Sequence, residues 1–246
     1  MLCRHCGSTF MDIDALPGMK TAKEQVASAL NMYYEGVTFN AICRRLQQKY
    51  NIYLSSSTIY EWIDRFTKLA VNKSEDYKPV VGDVWIAGEI VLKIEGRSIW
   101  FWDIIDIKTR FLLASLLLVT RSAKDAQRLM ELALERAGKL PKVVVTDKLD
   151  AYLDYVELAF GAETRQIHAK KLTSLAGTQL IEHFRGTLKE HAKVMRGLKR
   201  ADTLKKTTDG WLVHYNFFSP HQALEKRTPA AQAGIKSPYK NWMDVI

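Results

Sequence analysis

The chain has 246 residues and 47% hydrophobic content, which suits one large domain, or a domain with a small appendage, and a sizeable buried core. This composition excludes a disordered chain and a miniature disulfide scaffold, and three cysteines indicate a reducing compartment. The net charge of +9 indicates a polyanionic partner, and the last third, residues 166–246, carries nearly all of it, with 14 basic and 6 acidic side chains.

The N-terminal segment, residues 1–17, carries Cys3 and Cys6 in a CxxC pattern and ends at the turn signal LPG. It lacks the basic start and apolar core of a secretory signal, and no apolar run in the chain approaches the ~18 residues of a membrane span. We therefore expect a cytoplasmic protein without a membrane partner. A structural zinc ion needs four ligands, so one cysteine pair predicts that this chain alone does not bind zinc.

Three short helices are predicted over residues 18–72. Apolar residues recur at helical spacing after Thr21 until Gly36, a second helix fits Phe39–Tyr50, and the hydroxyl groups at 55–58 can cap a third. Three helices in about 50 residues suit a helix-turn-helix, although such units also serve as plain packing modules. The outward-facing residues of the third helix are candidates for DNA contact, namely Ser57, Thr58, Tyr60 and Arg65.

A change from helical to strand-like sequence follows a polar segment, residues 73–82, which predicts a linker. Segments 84–94, 98–106 and 111–119 are rich in branched and aromatic residues and predict an antiparallel meander. A helix stopped by Gly138, a strand ending at Asp147, a helix near 151–160 and a fifth strand around 164–169 come next. The order predicts an α/β fold with a mixed five-stranded sheet over 83–200, followed by a helix around Trp211 and a tail over 201–246.

Two acids are predicted to lie at the edge of the sheet, Asp147 at a strand end and Glu182 one turn into a long helix that begins near Thr178. Polynucleotide strand transfer needs carboxylates because Mg²⁺ and Mn²⁺ take oxygen ligands, and two such ions clamp the attacking and leaving oxygens. Spacing alone favours the interpretation that both are solvated surface acids. At about 100° per residue, four basic residues share the Glu182 face and are candidates for binding DNA phosphates: Arg185, Lys189, Lys193 and Arg196.

Four segments agree in order and spacing with one known family: GRSIWFWDIIDIKTRFLLA, VVVTD, LIEHFRGTLKEHAKVMRGLK and WLVHYNFFSPHQALEKRTPAAQAGI. The chain resembles the DDE-class transposases of bacterial and archaeal insertion sequences, members of the RNase H-like integrase superfamily. The resemblance implies an RNase H-like fold, binding of double-stranded DNA at terminal inverted repeats, a homodimer or larger assembly on DNA, and a place at the prokaryotic nucleoid. It also implies metal-dependent cleavage followed by attack of the freed 3′-hydroxyl on target DNA. CRHCGSTF similarly resembles the second knuckle of a zinc ribbon, so we interpret residues 1–17 as a half-ribbon remnant.

The family's acidic triad carries over with one gap. Its second acid matches Asp147 and its third matches Glu182, but its first position falls on Gly88 within WIAGEI. Glu89 and Asp83 are nearby, yet side chains alternate along a strand, so both should face the side opposite Gly88. We therefore predict a transposase-like protein with a weakened Mg²⁺ or Mn²⁺ site and impaired cleavage. The alternative is a non-catalytic DNA-binding regulator, or a dominant-negative partner, derived from a transposase.

Overall fold

A computed structural model describes residues 5–7, 16, 19–94, 97–120, 122–146, 160, 164–168, 186 and 201–246. The described elements begin with helices α1 (Lys23–Tyr34), α2 (Phe39–Tyr50) and α3 (Ser56–Glu75), followed by strands β1 (Val84–Ile94), β2 (Arg97–Asp106) and β3 (Leu112–Leu118). Helix α4 (Ala123–Ala137) and the short strands β4 (Val143–Thr146) and β5 (Arg165–His168) follow. Of the helices in these ranges, none has the length and apolar character that crossing a membrane requires.

The three N-terminal helices pack their apolar faces together. Leu30 of α1, Ile42 of α2 and Ile59 of α3 are all fully buried in this core. The Ser55 hydroxyl caps α3 by accepting a hydrogen bond from the Thr58 amide at 3.1 Å, as the run of hydroxyl residues predicts. Helix α3 continues to Glu75, three residues into the segment expected to be a linker, because its later turns still bury apolar and small side chains.

The sheet is mixed, with the strand order β3-β2-β1-β4-β5. Strand β2 pairs antiparallel with both β1 and β3, whereas β4 pairs parallel with both β1 and β5. The predicted α/β architecture, a mixed sheet with flanking helices, is therefore confirmed. Helix α4 begins with a capping box between Ser122 and Asp125 and ends at Gly138, whose φ of 65° suits a residue without a Cβ.

Two buried polar side chains fix the ends of the meander. Asp106 at the end of β2 accepts hydrogen bonds from the Gly82 amide at 3.0 Å, the Thr109 amide at 2.8 Å and the Thr109 hydroxyl at 2.6 Å. Asn216 brackets the outer edge of β3, because its side chain accepts from the Leu112 amide and donates to the Leu112 carbonyl, both at 2.8 Å. Together they tie the chain before β1 and a C-terminal segment to the sheet.

The C-terminal residues complete the core of the N-terminal helices. Helix α5 (Ala201–Val213) continues into a π-helical turn (His214–Phe218), a 3₁₀ turn (Gln222–Leu224) and the short helices α6 (Pro229–Gln232) and α7 (Trp242–Val245). Trp242 is 1% exposed and stacks on Tyr34 of α1 with ring centroids 5.0 Å apart. Lys206 of α5 forms an ion pair of 2.5 Å with Asp64 of α3. Residues 201–246, expected to be a helix and a tail, thus pack against α1 and α3.

A buried histidine joins three of these elements. The Trp242 indole donates to Nδ1 of His214 at 3.1 Å, which leaves Nε2 of the same ring to donate to Glu35 at 3.3 Å. The hydrogen bond from His214 lowers the pKa of the Glu35 carboxyl. His214 therefore has a structural role. Trp211, whose ring lies against His214, and Phe217 are buried core residues.

Candidate functional site

Gly88 lies where β1 passes the end of β4. The parallel register pairs Ala87 with Thr146, the last residue of β4, so Gly88 is the first residue of β1 beyond that pairing. Asp147 follows Thr146 directly in the sequence. In α/β sheets, ligands bind in the crevice outside the carboxyl ends of parallel strands. The backbone therefore places Gly88 at the edge of the sheet where β4 ends, a position suited to a ligand.

The residue opposite Gly88 is an acid that no sequence motif singles out. The antiparallel register pairs Gly88 of β1 with Asp103 of β2, and Asp103 in turn with Ser115 of β3. Directly paired residues project their side chains from the same face of a sheet. Asp103 and Ser115 therefore share the face from which a side chain at position 88 would project.

Asp103 is fully buried on this face. The Ser115 hydroxyl donates a hydrogen bond to its Oδ1 atom. Burial raises the pKa of the Asp103 carboxyl to about 8, and the hydrogen bond from Ser115 only partly opposes that rise. A carboxyl group with such a pKa carries little charge near neutral pH unless a cation compensates it.

Two other acids near Gly88 in the sequence, Glu89 and Asp83, have different surroundings. Glu89 pairs with Trp102 and so belongs to the opposite face of the sheet from Gly88. Asp83 precedes β1 and forms ion pairs with Lys139 at 2.6 Å and Lys142 at 3.0 Å. Hydrogen bonds from these two lysines lower the pKa of Asp83. Asp83 is therefore bound into a surface ion-pair cluster.

Several predicted site residues lie outside the described residues. They are Asp147 and Glu182 of the acidic triad, the basic residues Arg185, Lys189, Lys193 and Arg196, and Cys3 of the CxxC pattern. Cys6 is described and exposed. Within the described ranges, no group of three or more His, Cys, Asp or Glu side chains comes together that could hold a metal ion. The metal and zinc assignments therefore stay predictions.

The four candidate DNA-contacting residues of α3 differ in accessibility. Ser57 and Arg65 are exposed, and the Arg65 guanidinium lies over the Phe66 ring, 5.3 Å from its centroid. Thr58 is half-buried, and its backbone amide is bound to the Ser55 cap. Tyr60 is half-buried as well, with its ring edge-on to Phe39 at 6.4 Å. Of the four, Ser57 and Arg65 are the more accessible.

The negative charge of Asp64 on α3 is paired with a lysine of α5. Burial raises the pKa of Asp64, but hydrogen bonds from Lys206 and Lys68 outweigh this effect and hold the pKa below its ordinary value. The two lysine contacts are 2.5 and 2.6 Å long. Because Asp64 is matched by two cations, its negative charge opposes the approach of a polyanion to α3 less than an unpaired acid would.

Comparisons with known proteins place the sheet in one family. A family model described as a DDE domain matches residues 82–221, more than half of the chain. The fold is similar to the HTLV-2 integrase catalytic core domain solved in complex with magnesium in a trimeric form, with 12% identity and a TM-score of 0.50 over 63% of this chain and 99% of that one. The dimeric form of the same domain matches with 14% identity and a TM-score of 0.46, over 63% of this chain and 97% of that one.

A larger assembly also matches. The simian T-cell lymphotropic virus intasome in complex with the PP2A regulatory subunit B56 gamma has 12% identity and a TM-score of 0.49, over 87% of this chain and 77% of that one. No curated protein matches the sequence. At these identities, the likeness to the HTLV-2 core concerns the fold, and the family match rests on residues 82–221.

Proposed function

The chain belongs to the DDE transposase/integrase superfamily, and from this membership we propose that it is a transposase-like protein that binds transposon-end DNA and is impaired in cleaving it. The observation that carries the proposal is Gly88, a buried glycine in β1 one residue beyond the pairing with β4. The sequence resemblance assigns the family's first acid to this position. The fold likeness to an integrase core solved with magnesium supports divalent-metal chemistry at this edge.

The proposed metal ligands are Asp147 and Glu182, with Mg²⁺ or Mn²⁺ as the cation. Bound there, such ions would supply Lewis-acid stabilisation of the oxygens that exchange at phosphorus. Residues that merely orient metal ligands already change metal affinity or activity by about 10 to 100-fold when they are lost. Loss of a ligand itself is therefore expected to impair the reaction at least as strongly.

The DNA-binding part of the proposal concerns two surfaces. The helices α1–α3 form the proposed helix-turn-helix, with Ser57 and Arg65 as its exposed contacts and Thr58 and Tyr60 beside them. The second surface is the basic face predicted next to Glu182. If that face neutralises four to five phosphates, the logarithm of the binding constant falls with the logarithm of salt concentration at a slope of roughly −4. An assembly of at least two copies on DNA belongs to the same proposal.

Cleavage and binding assays on one set of variants test this proposal. The substrate is DNA carrying the terminal inverted repeats that the proposal expects beside the gene, with Mn²⁺ in the reaction. We expect the protein to shift this DNA in preference to scrambled DNA and to cleave it slowly. Gly88→Asp should raise 3′-end cleavage at least tenfold, whereas Gly88→Asn, which adds the same bulk without a carboxylate, should not. Robust cleavage by the unmodified protein would contradict the impairment, and equal binding to scrambled DNA would contradict the function.

The second candidate function is that of a non-catalytic regulator or dominant-negative partner derived from a transposase. The same Gly88 position favours it, because a chain that only binds DNA has no need of the first acid. Selective DNA binding by the protein, together with no gain of cleavage in Gly88→Asp, would favour this second function over the first.

A further inference from the structure

A carboxyl group lies on β2, directly beside the position in β1 where the family's first acid is missing. Gly88 contributes no side chain, and its direct partner across the β1–β2 ladder is Asp103. Directly opposed residues in an antiparallel pair have Cα atoms about 4.5 to 5.5 Å apart. The acid at position 103 is thus displaced from position 88 by one strand spacing, on the same face of the sheet.

This face of the sheet is otherwise apolar around Gly88. Its β1 neighbours on either side are Ile86 and Ile90, and the register adds Phe101 and Ile105 from β2. Asp103 is the only acidic residue among the described strand positions that share this face. A buried acid costs free energy in such a place unless it is protonated, hydrogen-bonded or paired with a cation.

We propose that Asp103 takes over part of the role of the acid missing at position 88 and is a ligand for a divalent cation at this face. The inference rests on the proposed function, which alone brings a metal ion to this edge of the sheet. The donors fit such an ion, because Mg²⁺ and Mn²⁺ take hard oxygen ligands and the face presents the Asp103 carboxyl with the Ser115 hydroxyl beside it.

A ligand at position 103 would allow metal binding together with weak cleavage. A ligand shifted by one strand, about 4.8 Å, still supplies a negative oxygen to the cation. Catalysis is less tolerant, because a displacement of about 1 Å can cost on the order of 100-fold in rate. The chain is therefore expected to bind Mn²⁺ with the help of Asp103 while cleaving DNA slowly.

Binding of Mn²⁺ alone to the full-length protein, followed by electron paramagnetic resonance and calorimetry, tests this inference without any activity measurement. Asp103→Asn should weaken Mn²⁺ binding at least tenfold. Glu89→Gln is the matched control, because it makes the same carboxyl-to-amide change one residue from Gly88 on the opposite face, and it should leave binding within twofold. Thermal unfolding shows that both variants are folded.

A second variant separates the position of the acid from its presence. Gly88→Asp with Asp103→Asn moves the carboxyl group back to β1 and should restore Mn²⁺ binding to the level of the unmodified protein or above. Unchanged affinity in Asp103→Asn, or no Mn²⁺ binding by the unmodified protein at millimolar concentration, would overturn the inference. Selective binding of the inverted-repeat DNA, measured without metal, reports on the proposed function separately.

Discussion

The Ser115 hydroxyl of β3 donates a hydrogen bond to Asp103 of β2, and Asp103 is the direct partner of Gly88 in the β1–β2 ladder. Burial raises the pKa of Asp103 from 3.8 to about 8, so the folded protein holds a proton on this side chain that the unfolded chain releases above about pH 4. The folded state binds more protons than the unfolded state between these pH values. The unfolding free energy is therefore unaffected by the ionisation of Asp103 below about pH 4 and falls as the pH rises from there towards 8.

Asp103→Asn should remove this pH dependence. In urea unfolding between pH 5 and 8, we expect the unmodified protein to lose stability relative to the variant by up to about 1.4 kcal/mol per pH unit. Glu89→Gln, on the opposite face, serves as the control and should keep the slope of the unmodified protein. A variant and parent with parallel stability profiles would contradict a raised pKa at Asp103.

Asp106, three residues further along β2, should respond differently to the same change. Its carboxylate accepts three hydrogen bonds, from the amides of Gly82 and Thr109 and from the Thr109 hydroxyl. An amide group has one acceptor oxygen and adds two N–H donors, so Asp106→Asn leaves buried donors unmatched. We expect a loss of about 2 to 3 kcal/mol in unfolding free energy at pH 5. At that pH Asp103→Asn should lower the unfolding free energy less. Equal losses in the two variants would contradict the three hydrogen bonds described for Asp106.

The glycine in α5 sits against α1. A Cβ on Gly210 would lie 1.9 Å from the Tyr34 hydroxyl oxygen and 2.7 Å from Cγ2 of Thr67, and Tyr34 is fully buried. Gly210→Ala should therefore lower the unfolding free energy by about 3 kcal/mol or more. Gly82→Ala is the comparison, because its Cβ would meet its nearest neighbours at 3.0 Å. Thermal unfolding should rank Gly210→Ala as the more damaging, and the reverse order would show that α5 is not packed this closely on α1.

The two neighbouring residues Trp242 and Met243 of α7 differ in burial, so they form a matched pair. Trp242 is 1% exposed, whereas Met243 is 38% exposed. Trp242→Ala leaves a cavity next to Tyr34 and removes the hydrogen bond to His214, with an expected cost of about 3 to 5 kcal/mol. Met243→Ala should cost less than about 1 kcal/mol. Chemical denaturation measures both, and similar small losses would mean that α7 does not belong to the helical core.

Local signals predicted much of the secondary structure. Helix α2 has the predicted bounds, Phe39–Tyr50, because Asn51 takes the left-handed conformation directly after it, with φ of 54°. The glycine after α4 ends that helix for the same reason, whereas the Ser55 hydroxyl before α3 marks a helix start because it caps the first turn. The mixed α/β sheet follows from the change in hydrophobic period after the N-terminal helices.

Pairings between distant segments were not predictable from one sequence. The WFWDIID segment indicates a strand with an acid in it, but only the register brings Asp103 opposite Gly88. One signal was present, since Asp103 interrupts an apolar run. The contact of Trp242 with Tyr34 is likewise absent from any local pattern, because neither sequence neighbourhood specifies its partner. The described part of the site is thus placed by tertiary pairing.

The contact between Glu35 and His214 also has a consequence for the order of folding at the ribosome. The two residues are separated by 179 positions in the chain. At 5 to 20 residues per second, a ribosome needs roughly 9 to 36 s to synthesise that interval. Tyr34 and its apolar neighbours in α1 are synthesised before this interval, and α5 and α7, which pack against the N-terminal helices, are completed only at its end or later. During that interval α2 and α3 can cover only their own part of α1, so the Tyr34 ring face that Trp242 covers in the folded protein stays exposed on the nascent chain.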